Sequence, residues 1–288
     1  MGAVVSGLAF VPPAVGANHE ELLRRATQLR FIQNRLGNRI AVAHWDVKAE
    51  ITVVYSHGNA EDLSIMLPTL AQYSADLSVN VLSYDYSGYG LSSGEPSEEA
   101  CYADIECVLH LVTATLGIDP RQIILYGRSL GSGPTVHAAS RLPLLGGVIL
   151  ECPFLSAIRT KLGDLAAVPG FAELDVFVNI GKVGGIKSPV FIVHGTDDQI
   201  VPWSHGKQLH DLLQVKYPPL WVAGATHNNL RQAKSFMPQL RQFVHHVRSG
   251  NRGAYELCVD QENQRNLPNV AAPPRFEEIL CCNDQVLS

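Results

Sequence analysis

Gln122-Ile123-Ile124-Leu125-Tyr126-Gly127-Arg128-Ser129-Leu130-Gly131-Ser132 is the stretch that decides how this chain is read. The residues through Tyr126 are β-rich and mostly apolar, follow the turn signal Asp119-Pro120, and lead into a glycine. Residues 132–142 read as a helix with small residues on the side nearest the turn. Gly127 and Gly131 let the backbone bend tightly between strand and helix, which exposes the hydroxyl of Ser129. A G-x-S-x-G pattern is weak on its own. Between a strand and a helix it describes a nucleophile elbow, and a plain tight turn is the competing reading.

A serine hydroxyl is a poor nucleophile near neutral pH, so Ser129 requires a general base and a carboxylate that orients the base. In the chain order serine, acid, histidine, the acid lies beyond a later strand. Residues 190–194 form such a strand, followed by Gly195-Thr196-Asp197-Asp198-Gln199-Ile200-Val201. Asp198 is the favoured acid, because His-Gly-x-x-Asp before an apolar pair sets it one turn past the strand end. Asp197 is then a turn or capping residue. Five histidines follow Asp198. His205 and His210 fall in a predicted helix over 204–215, and His245 and His246 in the last helical run, where histidines are usually just solvated. His227 instead sits in the loop Gly224-Ala225-Thr226-His227-Asn228-Asn229, after a short strand and before the last helix. That loop is where a general base is delivered.

A developing oxyanion needs preorganised N–H donors. One comes from the residue after the nucleophile, Leu130. The second belongs to the loop after an earlier strand, 51–56, which reads His57-Gly58-Asn59-Ala60-Glu61-Asp62. Gly58 frees that backbone, and the N–H of Asn59 is the candidate donor. A plain βα turn would explain this loop alone but not the ordered set of parts.

Composition agrees. The chain has 288 residues, of which 46% are hydrophobic, enough for one sizeable domain with or without a tail. A net charge of −5 without any Lys/Arg-rich run argues against nucleic acid as a partner. The six cysteines show neither disulfide-framework nor zinc spacing, so a reducing compartment and no metal are expected, and no cofactor is implied. No apolar stretch reaches membrane-span length, and the start lacks the basic region of a secretory signal.

Strands at 28–33 and 39–47 are predicted to form an antiparallel hairpin through Gly37-Asn38. Strands at 51–56, 80–84, 122–126, 147–151, 190–194 and 219–223 then alternate with helices at about 62–78, 97–116, 132–142, 204–215 and 229–247. That alternation predicts a mainly parallel central sheet with helices on both faces. The loop Tyr84-Asp85-Tyr86-Ser87-Gly88-Tyr89-Gly90 leaves a strand end and is placed at the edge of the site, or only shapes a turn. Residues 153–187 are a short lid whose Phe154, Leu155, Phe171 and Phe177 either line an acyl groove or simply pack. Residues 248–288, with three prolines and little periodicity, are expected to be a mobile tail.

Five segments together carry a resemblance: Tyr55-Ser56-His57-Gly58-Asn59-Ala60, the loop 84–90, Leu125-Tyr126-Gly127-Arg128-Ser129-Leu130-Gly131, His194-Gly195-Thr196, and Ser204-His205-Gly206-Lys207-Gln208-Leu209. They resemble the alpha/beta hydrolase domain-containing protein 17 family, serine hydrolases that remove palmitate from proteins, and its plant and protist relatives. The resemblance spans roughly residues 25 to 247. It implies an α/β-hydrolase fold over 20–247, a triad of Ser129, Asp198 and His227, and S-acylated protein substrates. Two departures stand out. Animal members carry an N-terminal cysteine cluster, whereas no cysteine precedes Cys101 here, and the usual glycine-asparagine before the histidine reads Ala225-Thr226.

Met1-Gly2-Ala3-Val4-Val5-Ser6 fits the N-myristoylation pattern at Gly2. One such chain binds membranes marginally, so a second contact is needed, from Leu8, Phe10 and Val11 or from acylated Cys281-Cys282. Residues 1–19 therefore read as a membrane-anchoring segment, and the protein as peripheral on the cytoplasmic face of the cell membrane or of endosomal membranes. A carboxylesterase or lipid-ester hydrolase with the same machinery is the alternative within enzymes. A non-catalytic membrane adaptor on a hydrolase scaffold is the alternative outside them.

Overall fold

The strand that carries the elbow, β5 (Ile123–Arg128), is buried along its whole length, in the middle of an eight-stranded sheet. The computed structural model describes residues 10–142, 144–162 and 175–250, side chains at 161 and 162 excepted. Gly2, Leu8, part of the lid including Phe171, and the tail cysteines lie outside the described residues.

The other strands are β1 (Gln28–Gln33), β2 (Arg39–Trp45), β3 (Thr52–Ser56), β4 (Asn80–Tyr84), β6 (Gly147–Glu151), β7 (Val190–Gly195) and β8 (Leu220–Val222). Their order across the sheet is β1-β2-β4-β3-β5-β6-β7-β8. β1 pairs antiparallel with β2 and β2 with β4, and every pair from β4 through β8 is parallel. This is the expected parallel sheet with an N-terminal antiparallel hairpin. The chain steps from β3 outward to β4 and then returns to the other side of β3 as β5. The crevice beyond the carboxyl ends of β3 and β5 is therefore the switch point where such sheets hold ligands.

Among the described residues, six helices of eight or more residues flank the sheet: α1 (His19–Ala26), α2 (Leu63–Leu77), α3 (Glu98–His110), α4 (Ser132–Arg141), α5 (Trp203–Leu212) and α6 (Phe236–Arg248). Alternate strand residues feed two cores. Val54, Leu82, Leu125 and Val148 pack with Ile105 of α3, Val136 of α4 and Leu209 of α5. Val53, Val81, Ile124 and Ile149 pack with Leu70 of α2 and Leu240 of α6 on the opposite face. Asp62 caps α2 by accepting the Ile65 N–H, and Ser97 caps α3 by accepting that of Ala100.

Several sequence expectations need correction. α1 was not foreseen; it buries one residue, Leu23, between paired Glu-Arg turns. The helix expected over 97–116 gives way after His110 to a π turn, Leu111–Thr115. The run expected as one helix over 229–247 is a 3-10 turn, Leu230–Gln232, then an extended Ala233, then α6. Of the lid's apolar residues, Phe154, Leu155 and Phe177 are buried in the first core, and the ring of Phe177 meets those of Phe10 and Tyr102 edge-on. They pack. No helix among the described residues is long and apolar enough to cross a membrane.

Candidate active site

The chain leaves β5 at Arg128 and reaches Ser129 with φ of 49°, the left-handed region that unbranched and branched residues alike avoid. A 3-10 turn, Ser129–Gly131, then opens α4. Both elbow glycines are required by space. A Cβ on Gly127 would lie 2.5 Å from the Gly131 carbonyl oxygen, and one on Gly131 would lie 2.1 Å from the Ser56 carbonyl oxygen. Elbow and β3 thus approach backbone to backbone, and the strain at Ser129 is held by that packing.

His227 reaches this serine. Its Nε2 lies 3.0 Å from Ser129 Oγ and its Nδ1 2.7 Å from Asp198 Oδ2. A carboxylate accepts, so Nδ1 carries the proton and Nε2 is left free to accept from the serine hydroxyl. The other oxygen of Asp198 accepts the N–H groups of Ile200, at 2.9 Å, and Val201, at 2.8 Å. Burial pushes the Asp198 carboxyl up, but hydrogen bonds from His194, His227 and Val201 outweigh it and hold the group well below the usual carboxylate range. Asp197 is exposed, accepts from the Thr196 hydroxyl at 3.1 Å and forms part of the turn. Serine, imidazole and carboxylate are therefore in line for proton transfer.

The other late histidines are elsewhere. His245 is exposed, and His246 lies against the Tyr217 ring. His205 is not solvated as expected: it is buried beside the lid, faces the Leu155 N–H at 3.4 Å, and burial pushes it down to about 4. It stays neutral and structural.

The β3 loop lies against the elbow and is braced from one side. Tyr86 donates to the His57 carbonyl at 2.6 Å, and Tyr89 donates to Asn59 Oδ1 at 2.7 Å. The N–H of Val11 also reaches Asn59 Oδ1, at 2.8 Å, so the N-terminal segment crosses here. Asp85 accepts the N–H groups of Leu63 and Leu91, tying this loop to the start of α2. Burial pushes its carboxyl up to about 7. The 84–90 segment thus fixes the β3 loop rather than merely turning the chain. Within that loop the Gly58 N–H is already taken by Glu61 Oε2 at 2.7 Å. Leu130 is buried in the elbow turn directly after Ser129, and Gly131 of the same turn packs against the Ser56 and His57 carbonyls at the start of the loop that carries Asn59.

Three buried contributors were invisible in the sequence: His194 on the acid, Arg128 and Glu151 beneath the loops. Arg128 occupies a variable position of the elbow pattern, and His194 reads as the last residue of a strand. Among the described residues, Cys152, Asp198 and His227 also bring one metal-binding atom each within 4.8 Å of one another. Two of these three are already joined by the hydrogen bond just described.

The description "serine aminopeptidase, S33" matches residues 47–174. The Xenopus tropicalis alpha/beta hydrolase domain-containing protein 17C is 42% identical over 195 residues, which cover 68% of this chain and 62% of the relative. The Caenorhabditis elegans alpha/beta hydrolase domain-containing protein aho-3 is 35% identical over 265 residues, covering 84% of this chain and 78% of the relative. The human protein 17B is 40% identical over 210 residues, 72% of each. Among solved structures, the esterase Pf2001 of Pyrococcus furiosus shares the fold with a TM-score of 0.66 at 16% identity, over 82% of this chain and 98% of that one. On the strength of these relatives, the chain belongs to the alpha/beta hydrolase domain-containing protein 17 family.

Proposed function

We propose that this protein is a membrane-associated serine hydrolase that removes S-palmitoyl and other long-chain acyl groups from protein cysteines. The observation that carries the hydrolase reading is the unbroken hydrogen-bond chain from Ser129 through His227 to Asp198 at the head of a strained elbow. Ser129 Oγ attacks the thioester carbonyl while His227 Nε2 takes its proton, and Asp198 stabilises the resulting imidazolium. The N–H groups of Asn59 and Leu130 bind the oxyanion, a role in which one donor is worth about 3 kcal/mol. The imidazolium then protonates the departing thiolate, and a water activated by the same imidazole hydrolyses the acyl-enzyme. No cofactor or metal takes part in these steps.

The substrate class follows from the family resemblance and from the Met1-Gly2 start, which would bring the protein to the membrane where S-acylated proteins reside. The site is the cytoplasmic face of the cell membrane or of endosomal membranes, with Gly2 acylated. The test uses purified protein beside its Ser129→Ala variant. Parent protein should be labelled by a fluorophosphonate and should release palmitate from an S-palmitoylated peptide, and Ser129→Ala should do neither. Labelling with ester but no thioester turnover would assign the carboxylesterase reading. A folded parent that takes no label would assign the adaptor reading.

A further inference from the structure

Arg128 precedes the elbow serine, yet its side chain turns away from Ser129 and is only 8% exposed. Its Nε faces Glu151 Oε1 at 3.3 Å. Glu151 is itself held by Arg231, at 2.9 and 3.1 Å, and by the Tyr126 hydroxyl at 2.6 Å. That leaves the two terminal nitrogens of Arg128 pointing outward, and they divide between two loops. Nη1 pairs with Glu61 Oε1 at 2.5 Å, and the other oxygen of Glu61 accepts the Gly58 N–H at 2.7 Å. Nη2 donates to Asn228 Oδ1 at 3.0 Å and points at the His227 carbonyl at 3.4 Å. Space is tight: a Cβ on Gly58 would lie 2.7 Å from Nη1 and 2.9 Å from Glu61 Oε2.

The charges in this cluster balance, with the carboxylates of Glu61 and Glu151 set against the guanidinium groups of Arg128 and Arg231. Burial alone would push Glu151 up, but Arg231 and Arg128 hold it below the usual range. Only a planar fork with several fixed N–H groups serves Glu151, Glu61 and the histidine loop at once. The contacts end on backbone of the two loops that flank Ser129, the Gly58 N–H through Glu61 and the His227 carbonyl directly.

We infer that Arg128 is a positioning residue that fixes the spacing between the 57–61 loop and the 224–229 loop, and so holds the oxyanion donor and the base in register around Ser129. This rests on the triad reading given above. Arg128 itself touches no substrate. Misplacing reacting groups by about 1 Å costs on the order of a hundredfold in rate, so a loosened bridge reads out in turnover before it reads out in binding.

The test compares Arg128→Lys, Glu61→Gln and the double variant on a soluble acyl thioester. Turnover is expressed per site labelled at the end-point of fluorophosphonate reaction, and thermal melting is recorded separately. Arg128→Lys keeps the charge but loses the fork, and should lower kcat roughly ten- to a hundredfold with KM within about twofold. Glu61→Gln should lower kcat in the same direction, and the double variant should be no worse than the worse single one, because both act through one bridge. Should Arg128→Lys fail to fold, Glu61→Gln, a neutral isostere, carries the test alone. Unchanged kcat per labelled site, or losses that multiply in the double variant, would overturn the inference and leave a purely structural salt bridge. Ser129→Ala run alongside separates the two claims. If it is dead while the Arg128 and Glu61 variants are normal, the bridge fails and the triad stands; if it turns over, both fall.

Discussion

His194 Nε2 lies 3.3 Å from Asp198 Oδ2, the same carboxylate oxygen that holds His227. That nitrogen also faces the Val201 carbonyl at 2.9 Å. Both neighbours accept, so Nε2 donates. Nδ1 has no hydrogen-bond partner among the described residues, and a Cβ on Gly206 would lie 2.5 Å from it, so only glycine at 206 leaves the ring its space. The acid is thus fixed by two imidazoles and two backbone N–H groups, and its orientation toward His227 is decided before any substrate arrives.

This arrangement separates the adjacent carboxylates at 197 and 198. Asp198→Asn loses the charge that fixes the His227 tautomer, and should lower kcat by about 10⁴-fold, the scale seen when a triad aspartate is made an amide. Asp197→Asn changes one exposed turn and should stay within about threefold of the parent. Steady-state kinetics on a soluble thioester decides; the opposite ranking would move the acid to Asp197.

Gly131→Ala tests the elbow as packing rather than chemistry. The residue has φ of −61°, open to any amino acid, so only the added methyl group matters. That methyl would sit 2.1 Å from the Ser56 carbonyl oxygen. Urea unfolding should show a loss of about 3 kcal/mol or failure to fold. A loss below about 0.5 kcal/mol would mean that β3 and the elbow are not in backbone contact.

Stability should depend on pH through Asp85. Its folded-state carboxyl is raised to about 7 by burial, against about 3.9 in an unfolded chain. Between those values the native state binds more protons than the unfolded one, so this group's contribution to stability falls as pH rises through that window. Asp104, raised to about 6 by burial, acts with the same sign over a narrower range. Asp85→Asn removes the titration, so its melting temperature should decline less than the parent's between pH 5 and pH 8. Parallel declines in the two proteins would show that Asp85 is ionised throughout.

Attachment is tested separately from catalysis. Gly2→Ala removes the N-terminal acylation site while leaving every residue around Ser129 in place. The variant should move to the soluble fraction and keep its turnover of a soluble thioester. Deletion of residues 249–288 in that background then asks whether Cys281-Cys282 supplies a second anchor. Membrane association that persists through both changes would refute lipid anchoring at either end.

The sequence carried the sheet and the serine-acid-histidine geometry because both rest on local signals. Strands such as 80–84 and 147–151 are short apolar runs between clear turns, and Gly127 and Gly131 mark the elbow by what they lack. The interruption at 230–235 has no sequence signal, because Ala233 and Lys234 carry no breaker chemistry; it falls where the Arg231 side chain reaches Glu151. Helix α1 carries little sequence signal because it is eight residues long and offers only the adjacent Leu22 and Leu23 among charges, too short for a repeating apolar stripe. Arg128, Glu61, Glu151 and Arg231 meet only once the sheet is assembled. Their separations of 67 and 80 residues leave no periodic trace.

Ser129 keeps a side chain at a φ of 49°, a conformation that an unbranched Cβ tolerates under strain and a β-branched one does not. The hydroxyl of threonine is chemically equivalent, but its β-branch makes a left-handed backbone costlier than it is for serine. Cysteine, with the same slender Cβ as serine, fits. The elbow therefore filters nucleophiles by shape as well as by reactivity: an exchange from serine to cysteine adds less backbone strain at this position than one to threonine.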